Sequence, residues 1–196
     1  MSSHDPRSRR RAETNRRIYE VAMRLFLERG YDDVSVGEIA RAAGVSVPTF
    51  YAHFPNKEHV VLPLPDRQAV VAVLAGRPLT DSVFAGLREA MLDWLSAAEG
   101  RDLDEMLDRW RVVVATPGLR LRAAEHERAT AGIVLQSLPP TTLTPDRRLA
   151  TELVVVALFS AYTLALLRWA EEDGVRPPAE VAREVLGALR GMVGPV

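Results

Sequence analysis

The stretch "SVPTFYAHFPNKE", residues 46–58, gathers Ser46, Thr49, Tyr51, His53 and Lys57. Each of these side chains has an N–H or O–H to donate to an anionic oxygen. That chemistry suits a polyanion, because most protein–DNA hydrogen bonds go to phosphate oxygens and set register without reading sequence. Between them Val47, Pro48 and Ala52 are small and apolar. Such groups can meet a thymine methyl, but they cannot make the bidentate hydrogen bonds by which Arg, Asn or Gln discriminate bases. Phe50 and Phe54, four residues apart, fall together on the other face, where they anchor a short helix.

Nothing comparable marks an active site. The four histidines, at 4, 53, 59 and 126, lack metal-ligand spacing, and there is no H-E-x-x-H, G-x-S-x-G or Walker A pattern. The absence of cysteine excludes disulfides and thiolate metal sites. The sequence therefore leads us to expect no enzyme, no cofactor and no metal.

The elements that must position the donors are legible from caps and periodicity. Ser46 caps a helix with Pro48 in its first turn, where a missing N–H costs nothing. Upstream, Ser35-Val36-Gly37-Glu38 matches a capping box, and Ile39, Ala42 and Ala43 face inward before Gly44. Two short helices joined through Gly44-Val45 are a helix-turn-helix. Before them Ile18, Val21, Ala22, Leu25 and Phe26 form an apolar stripe. This predicts a first helix over 10–29, closed by Gly30 and supported by Glu13–Arg17 and Glu20–Arg24 pairs. Asn56 is positioned to cap a short helix that Pro63 and Pro65 end. Further helices are predicted over 66–75, 80–98 with Gly100 as its stop, and 102–115 behind a capping box at Asp102–Glu105. Others follow over 117–138, 145–173 and from Pro177-Pro178 to 191. No alternating strand pattern is present, so the fold class is all-α.

Composition agrees with a soluble globular chain: 196 residues, 47% hydrophobic and 26% charged. No apolar stretch follows the basic start, so the expected location is the cytoplasm. The net charge of −1 hides an asymmetry, since six arginines outweigh two acids within residues 1–17. That segment reads either as a solvated tail or as a flexible basic arm over 1–9, leading into Arg10 and Arg11, that follows a phosphate backbone or enters a minor groove. The run "LVVVALFSAYTLALL", 153–167, carries no charge. It is shorter than the roughly 20 residues of a membrane span. Burial in the monomer's core or in a subunit interface would cover it, and the interface is the more economical reading.

Residues 14–60, above all "SVGEIARAAGVSVPTFYAHFPNKEHVV", closely resemble the DNA-binding domain of the TetR/AcrR family of bacterial transcriptional regulators. The family pattern is met at Ser35, Ile39-Ala40, Ala43 to Ser46, Tyr51 to Phe54 and Asn56 to Glu58. The resemblance implies a helix-turn-helix domain over 10–62 and a helical effector-binding and dimerisation domain over 63–196. It implies a homodimer that represses at a double-stranded DNA operator and is released by a small-molecule effector. By position, Ser46, Thr49, Tyr51, His53 and Lys57 match phosphate-contacting places, and Val47 and Pro48 match base-facing ones. Ser35, Val36 and Gly37 open the preceding helix and are expected at the same interface.

Beyond residue 62 the likeness loosens, and the doubled break at Pro63 and Pro65 departs from the longer connecting helix of many relatives. Phe84, Met91, Trp94, Met106, Trp110, Phe159 and Tyr162 are the large or soft side chains available for an apolar effector pocket, or for plain core. Arg109, Arg111, Arg120 and Arg122 would suit an anionic effector or a solvated face. The dimer interface is expected at Leu153, Val156, Phe159, Ser160, Thr163, Leu167, Val185 and Leu189. The alternative reading is a DNA-binding protein of the same fold that answers to a protein partner, or to no ligand.

Overall fold

The structure, a computed structural model, describes residues 6–77, 79 and 82–193. Among these residues there is no strand, and the elements are α1 (Pro6–Arg29), α2 (Val36–Ala42), α3 (Val47–His53), α4 (Glu58–Val61), α5 (Arg67–Leu74), α6 (Val83–Ser96), α7 (Gly100–Ala115), α8 (Pro117–Ser137), α9 (Arg148–Glu171) and α10 (Pro178–Val193). A 3₁₀ turn at Pro140–Thr142 was not foreseen. The chain divides into two compact units, with the boundary between Pro63 and Leu64.

In the first unit Ile18, Ala22, Met23 and Phe26 of α1 are buried together with Ile39, Ala40, Phe50 and Phe54. The capping box of α2 forms: Glu38 N donates to Ser35 Oγ at 3.2 Å, and Ser35 N donates to Glu38 Oε2 at 2.9 Å. Gly44, at φ +64°, makes the turn into α3 in a conformation that favours glycine. Ser46 caps α3, accepting from Thr49 N at 3.2 Å. Asn56 Oδ1 accepts from His59 N at 2.9 Å and so caps α4.

The first helix corrects two expectations. Its helical backbone begins at Pro6, so Arg7 and Arg9 belong to a helix and not to a flexible arm; residues 1–5 of that arm lie outside the described residues. Its ion pairs also form in another register, Arg16–Glu20 at 2.8 Å and Arg24–Glu28 at 3.5 Å.

In the second unit α9 packs against α6, α7, α8 and α10. Val155, Leu158, Ala165, Leu166 and Trp169 face that core, and Trp169 Nε1 donates to Arg176 O at 2.9 Å. By length and composition the whole of α9, unlike the uncharged run alone, is long and apolar enough to cross a membrane. Here it is the central helix of a helical bundle. Its outer face leaves Leu149, Leu153, Val156 and Leu164 exposed, at spacings that keep them in one stripe.

Several helix starts differ from the sequence reading. Ser82 caps α6, accepting from Ala85 N at 3.2 Å, whereas the expected cap, Thr80, lies outside the described residues. Gly100 does not stop a helix but opens α7, so Asp102 falls inside the first turn and the expected capping box does not form. Thr144 precedes a turn over 145–147, and α9 begins at Arg148. Gly174, at φ +71°, follows α9 in a backbone conformation that favours glycine, and a Cβ there would lie 2.6 Å from the tip of the Leu107 side chain.

Glu38 supplies a pH test. Its backbone hydrogen bond with Ser35, then the Ser35 hydroxyl and Arg29, pull its pKa down to about 2. A depressed carboxylate stabilises the fold above its ordinary value of 4.5 and loses that contribution as pH falls towards about 2. Thermal melts at pH 7 and pH 3 should therefore show a smaller acid-induced drop for Glu38→Gln than for the unmodified chain.

Candidate nucleic-acid interface

The surface of interest is the outward side of α3 with the N-terminal end of α2. Seven residues are too few to hold a helix by propensity alone, so α3 depends on its anchors. Phe50 is 0% exposed, and its ring lies 5.7 Å from Phe54. Tyr51 meets Phe50 edge-on at 5.5 Å yet remains 50% exposed. The aromatic pair inside thus fixes the direction of the phenol outside.

Ser46, Val47, Pro48, Tyr51 and Ala52 are exposed, and Thr49 is half-buried. Ser46 Oγ and Thr49 Oγ1 lie 2.7 Å apart, so one of the two hydroxyls donates to the other. One hydroxyl hydrogen is therefore committed, and the pair offers one outward donor. On α2, Ser35 and Gly37 are exposed and Val36 is half-buried. No amide or guanidinium side chain occurs within α3 itself. The face offers methyl groups and hydroxyls, which suit thymine methyls and phosphate oxygens.

Two residues behave differently from their sequence reading. Lys57 was expected to reach a phosphate, but its Nζ donates to Tyr31 O at 2.8 Å and Val34 O at 2.9 Å, with the Tyr31 ring centroid 4.0 Å away. The ammonium closes the loop between α1 and α2 and keeps at most one N–H for another acceptor. Burial pushes its pKa down, against the attraction of Asp32 and Glu58. His53 is half-buried, and its Nδ1 is enclosed without a partner among the described residues. Desolvation, then the Arg11 charge, push its pKa down, so at neutral pH it offers one N–H and no charge.

Arg11 shows what the sequence did not signal. Expected in or beside an arm, it sits on α1 and donates to Ala52 O at 3.0 Å, tying α1 to the last turn of α3 across 41 positions. Arg10 is exposed one residue earlier. Arg29 likewise bridges elements, pairing with Glu38 at 3.0 Å and donating to Asp33 O at 3.1 Å.

The other sequence-selected groups separate in the second unit. Met91 and Met106 are buried core, and Phe84, Trp110, Phe159 and Tyr162 pack partly buried against them. Trp94 does not join them and is 50% exposed. Of the expected interface residues, Leu153, Val156 and Ser160 are exposed, and Thr163 and Leu167 are half-buried. Phe159, Val185 and Leu189 pack instead against the unit's own core. Ser160 Oγ is bound to Glu127 of α8.

These features define a helix-turn-helix protein whose chain continues into a separate helical unit. Residues 18–64 match the model of the bacterial regulatory proteins of the tetR family. The chain is 32% identical over 202 residues to MftR of Mycobacterium tuberculosis, named as a transcriptional regulator of mycofactocin biosynthesis; the match covers 97% of this chain and 95% of that protein. TcmR of Streptomyces glaucescens, a helix-turn-helix transcriptional regulator, is 30% identical over 165 residues, covering 79% and 72%. Among solved structures, native NalD, the secondary repressor of the MexAB-OprM multidrug efflux pump in Pseudomonas aeruginosa, shares the fold with a TM-score of 0.57 at 21% identity, over 91% of this chain and 96% of that one. The chain belongs to the TetR family; it is a DNA-binding transcriptional regulator and not an enzyme.

The two kinds of residue should separate by experiment. Tyr51→Phe should raise the Kd for a cognate duplex by about tenfold, the loss of one hydrogen bond to a charged oxygen, with an unchanged melting temperature. Lys57→Met, which leaves two carbonyls without their donor, should lower the melting temperature by about 5 °C or more. Fluorescence anisotropy and differential scanning fluorimetry read the two effects.

Proposed function

We propose that the protein is a repressor that binds a near-palindromic operator as a homodimer and leaves it when a small, largely apolar effector binds the second unit. The observation that carries this reading is the outward face of α3, where methyl and hydroxyl groups stand exposed on a helix anchored by Phe50. In this reading Val47, Pro48 and Ala52 meet bases in the major groove. Ser46, Thr49, Tyr51 and His53 donate to phosphates, joined by the α2 start at Ser35, Val36 and Gly37. Arg10 supplies charge from α1, and Arg11 and Lys57 hold the elements in place. With no guanidinium or amide on α3, specificity leans on thymine methyls and on DNA shape.

The dimer reading is supported by the exposed stripe Leu149, Leu153, Val156 and Leu164 on α9, which carries large apolar side chains where solvent would otherwise meet them. Twofold symmetry then sets half-sites about 34–36 Å apart, or a multiple of that spacing. The effector reading is supported by the cluster of Met91, Met106, Trp110, Phe159 and Tyr162. Its place of action is the bacterial cytoplasm, where the chromosome lies.

Genome-wide mapping of bound sites, followed by anisotropy on the recovered duplexes, tests the proposal. A near-palindrome occupied by two chains is expected, and equal binding to random fragments would contradict it. Replacing operator thymines by uracil at the α3 contacts should weaken binding by several-fold, whereas unchanged affinity would remove the methyl contacts from the account. The double substitution Leu153→Glu, Val156→Glu should give monomers by analytical ultracentrifugation and cost at least about a hundredfold in operator affinity, through loss of the second half-site.

A further inference from the structure

Helix α5 is poorly secured to the core of the second unit. At eight residues it is too short to persist in water by its own hydrogen bonds, and it contains Val70, Val71 and Val73, whose branched side chains lose rotamer freedom in a helix. Its stability must therefore come from packing, yet only Leu74 is buried and Val70 is half-buried. By contrast α6 buries Leu87, Ala90, Met91, Leu92 and Leu95. The run from Ala69 to Leu74 is apolar throughout, but Ala69, Val71, Ala72 and Val73 are exposed, Val71 by 46%. Few buried apolar contacts are the condition under which a segment opens locally while the rest stays folded.

Its two ends are held differently. At the C-terminal end Leu74 is buried, Arg77 Nε donates to Val73 O at 2.8 Å, and Arg77 Nη2 pairs with Asp93 of α6 at 2.9 Å. At the N-terminal end Pro65 precedes the Asp66 cap and has no N–H to continue a helical ladder, so α5 is not an extension of α4. The side-chain tie to another helix there is one exposed bond, from Arg67 Nη2 to Gln136 O in the last turn of α8 at 2.9 Å. That carbonyl lies among those at a helix end that lack an intrahelical partner, and water readily replaces an exposed bond. Arg67 is also the first residue of α5, where the helix dipole disfavours a cation. The arginine thus acts against its own helix and for the bond to α8.

We propose that α5 is a strap, hinged at Gly76 and latched onto α8 by Arg67, and that its opening is the way in for an apolar effector. Gly76, at φ +76°, gives the chain a turn just beyond the anchored end. Val70 and Leu74 belong to the cluster that also takes in Met106, Trp110, Phe159 and Tyr162. When the Arg67 end lifts, Val70 leaves that cluster and the core is uncovered where α5 packs on α6 and α8. The exposed Val71 and Val73 give an apolar molecule a surface to meet from outside. This rests on reading the second unit as effector-binding and adds to it the route and its latch.

Hydrogen–deuterium exchange on the full-length protein reads the strap without any ligand. The amides of 70–75 should exchange at least about tenfold faster than those in the middle of α9, as local rather than global opening requires. Arg67→Met keeps a comparable helix propensity and removes the latch. It should speed exchange over 70–75 by roughly fivefold, the effect of losing one exposed hydrogen bond, and leave α9 unchanged. Were Arg67 acting only on its own helix, removing a disfavoured cation would slow that exchange instead. Slower or unchanged exchange in the variant, or α5 amides as slow as those of α9, would overturn the strap. Entry is read by stopped-flow fluorescence with Nile red as the apolar probe. The chain has no cysteine, so Arg67→Cys with Gln136→Cys can be bridged by a bismaleimide that makes the latch covalent. Arg67→Met should take up the dye several-fold faster than the unmodified chain, and the bridged form several-fold slower, with one final intensity. Equal rates in all three forms would contradict the route while leaving an effector pocket in place. Failure of the dye to bind any form would contradict the effector reading itself, and the route with it.

Discussion

The arrangement of this protein depends on how a seven-residue helix is held. A helix as short as α3 has too few internal hydrogen bonds to persist in water. Its direction is set by Phe50, fully enclosed, and by Phe54 behind it. Burying two aromatic rings is a large apolar contribution for so short an element. The same turn of helix that sends Phe50 inward sends Tyr51, Val47 and Pro48 outward. Anchor and interface are two sides of one geometric fact.

Polar groups finish what the rings begin. The capping box at Ser35 and Glu38 fixes where α2 starts, and Gly44 turns the chain into Ser46, whose hydroxyl fixes where α3 starts. At the other end Arg11 holds the Ala52 carbonyl, and Lys57 holds those of Tyr31 and Val34. These cations sit close to the candidate DNA face yet spend their hydrogen bonds within the protein. Charge near a phosphate backbone and charge that builds the platform are therefore partly the same residues. Their substitution would lower DNA affinity by two routes that a stability measurement separates.

Much of this was legible from sequence, for identifiable reasons. Caps, turn glycines and the four-residue spacing of Phe50 and Phe54 are local signals, and they located α2, α3 and the helical class. What escaped was non-local or a matter of competing starts. The bond from Arg11 to Ala52 spans 41 positions, and nothing in the sequence announces it. Lys57 looked like a free cation because the carbonyls it serves are backbone atoms, present at every residue. Gly100 read as a stop because glycine so often ends helices, whereas here its φ of +51° opens one. In the second unit, aromatic and methionine spacing identified the cluster but not its outlier, Trp94, whose exposure is set by which helices happen to cover α6. Nor did sequence show that Arg111 and Arg120 would be paired within the protein. That pairing depends on where carboxylates from distant positions fall, with Asp173 reaching Arg111 and Glu171 reaching Arg120.

The central claim is that the outward face of α3 and the start of α2 lie against the duplex. Amide hydrogen–deuterium exchange on the full-length protein, with and without its mapped operator, addresses it most directly. The account predicts that operator binding slows exchange over 35–37 and 47–53, beyond the protection already conferred by their helices. Tight operator binding with exchange in both segments unchanged, and protection confined to other surfaces, would contradict it.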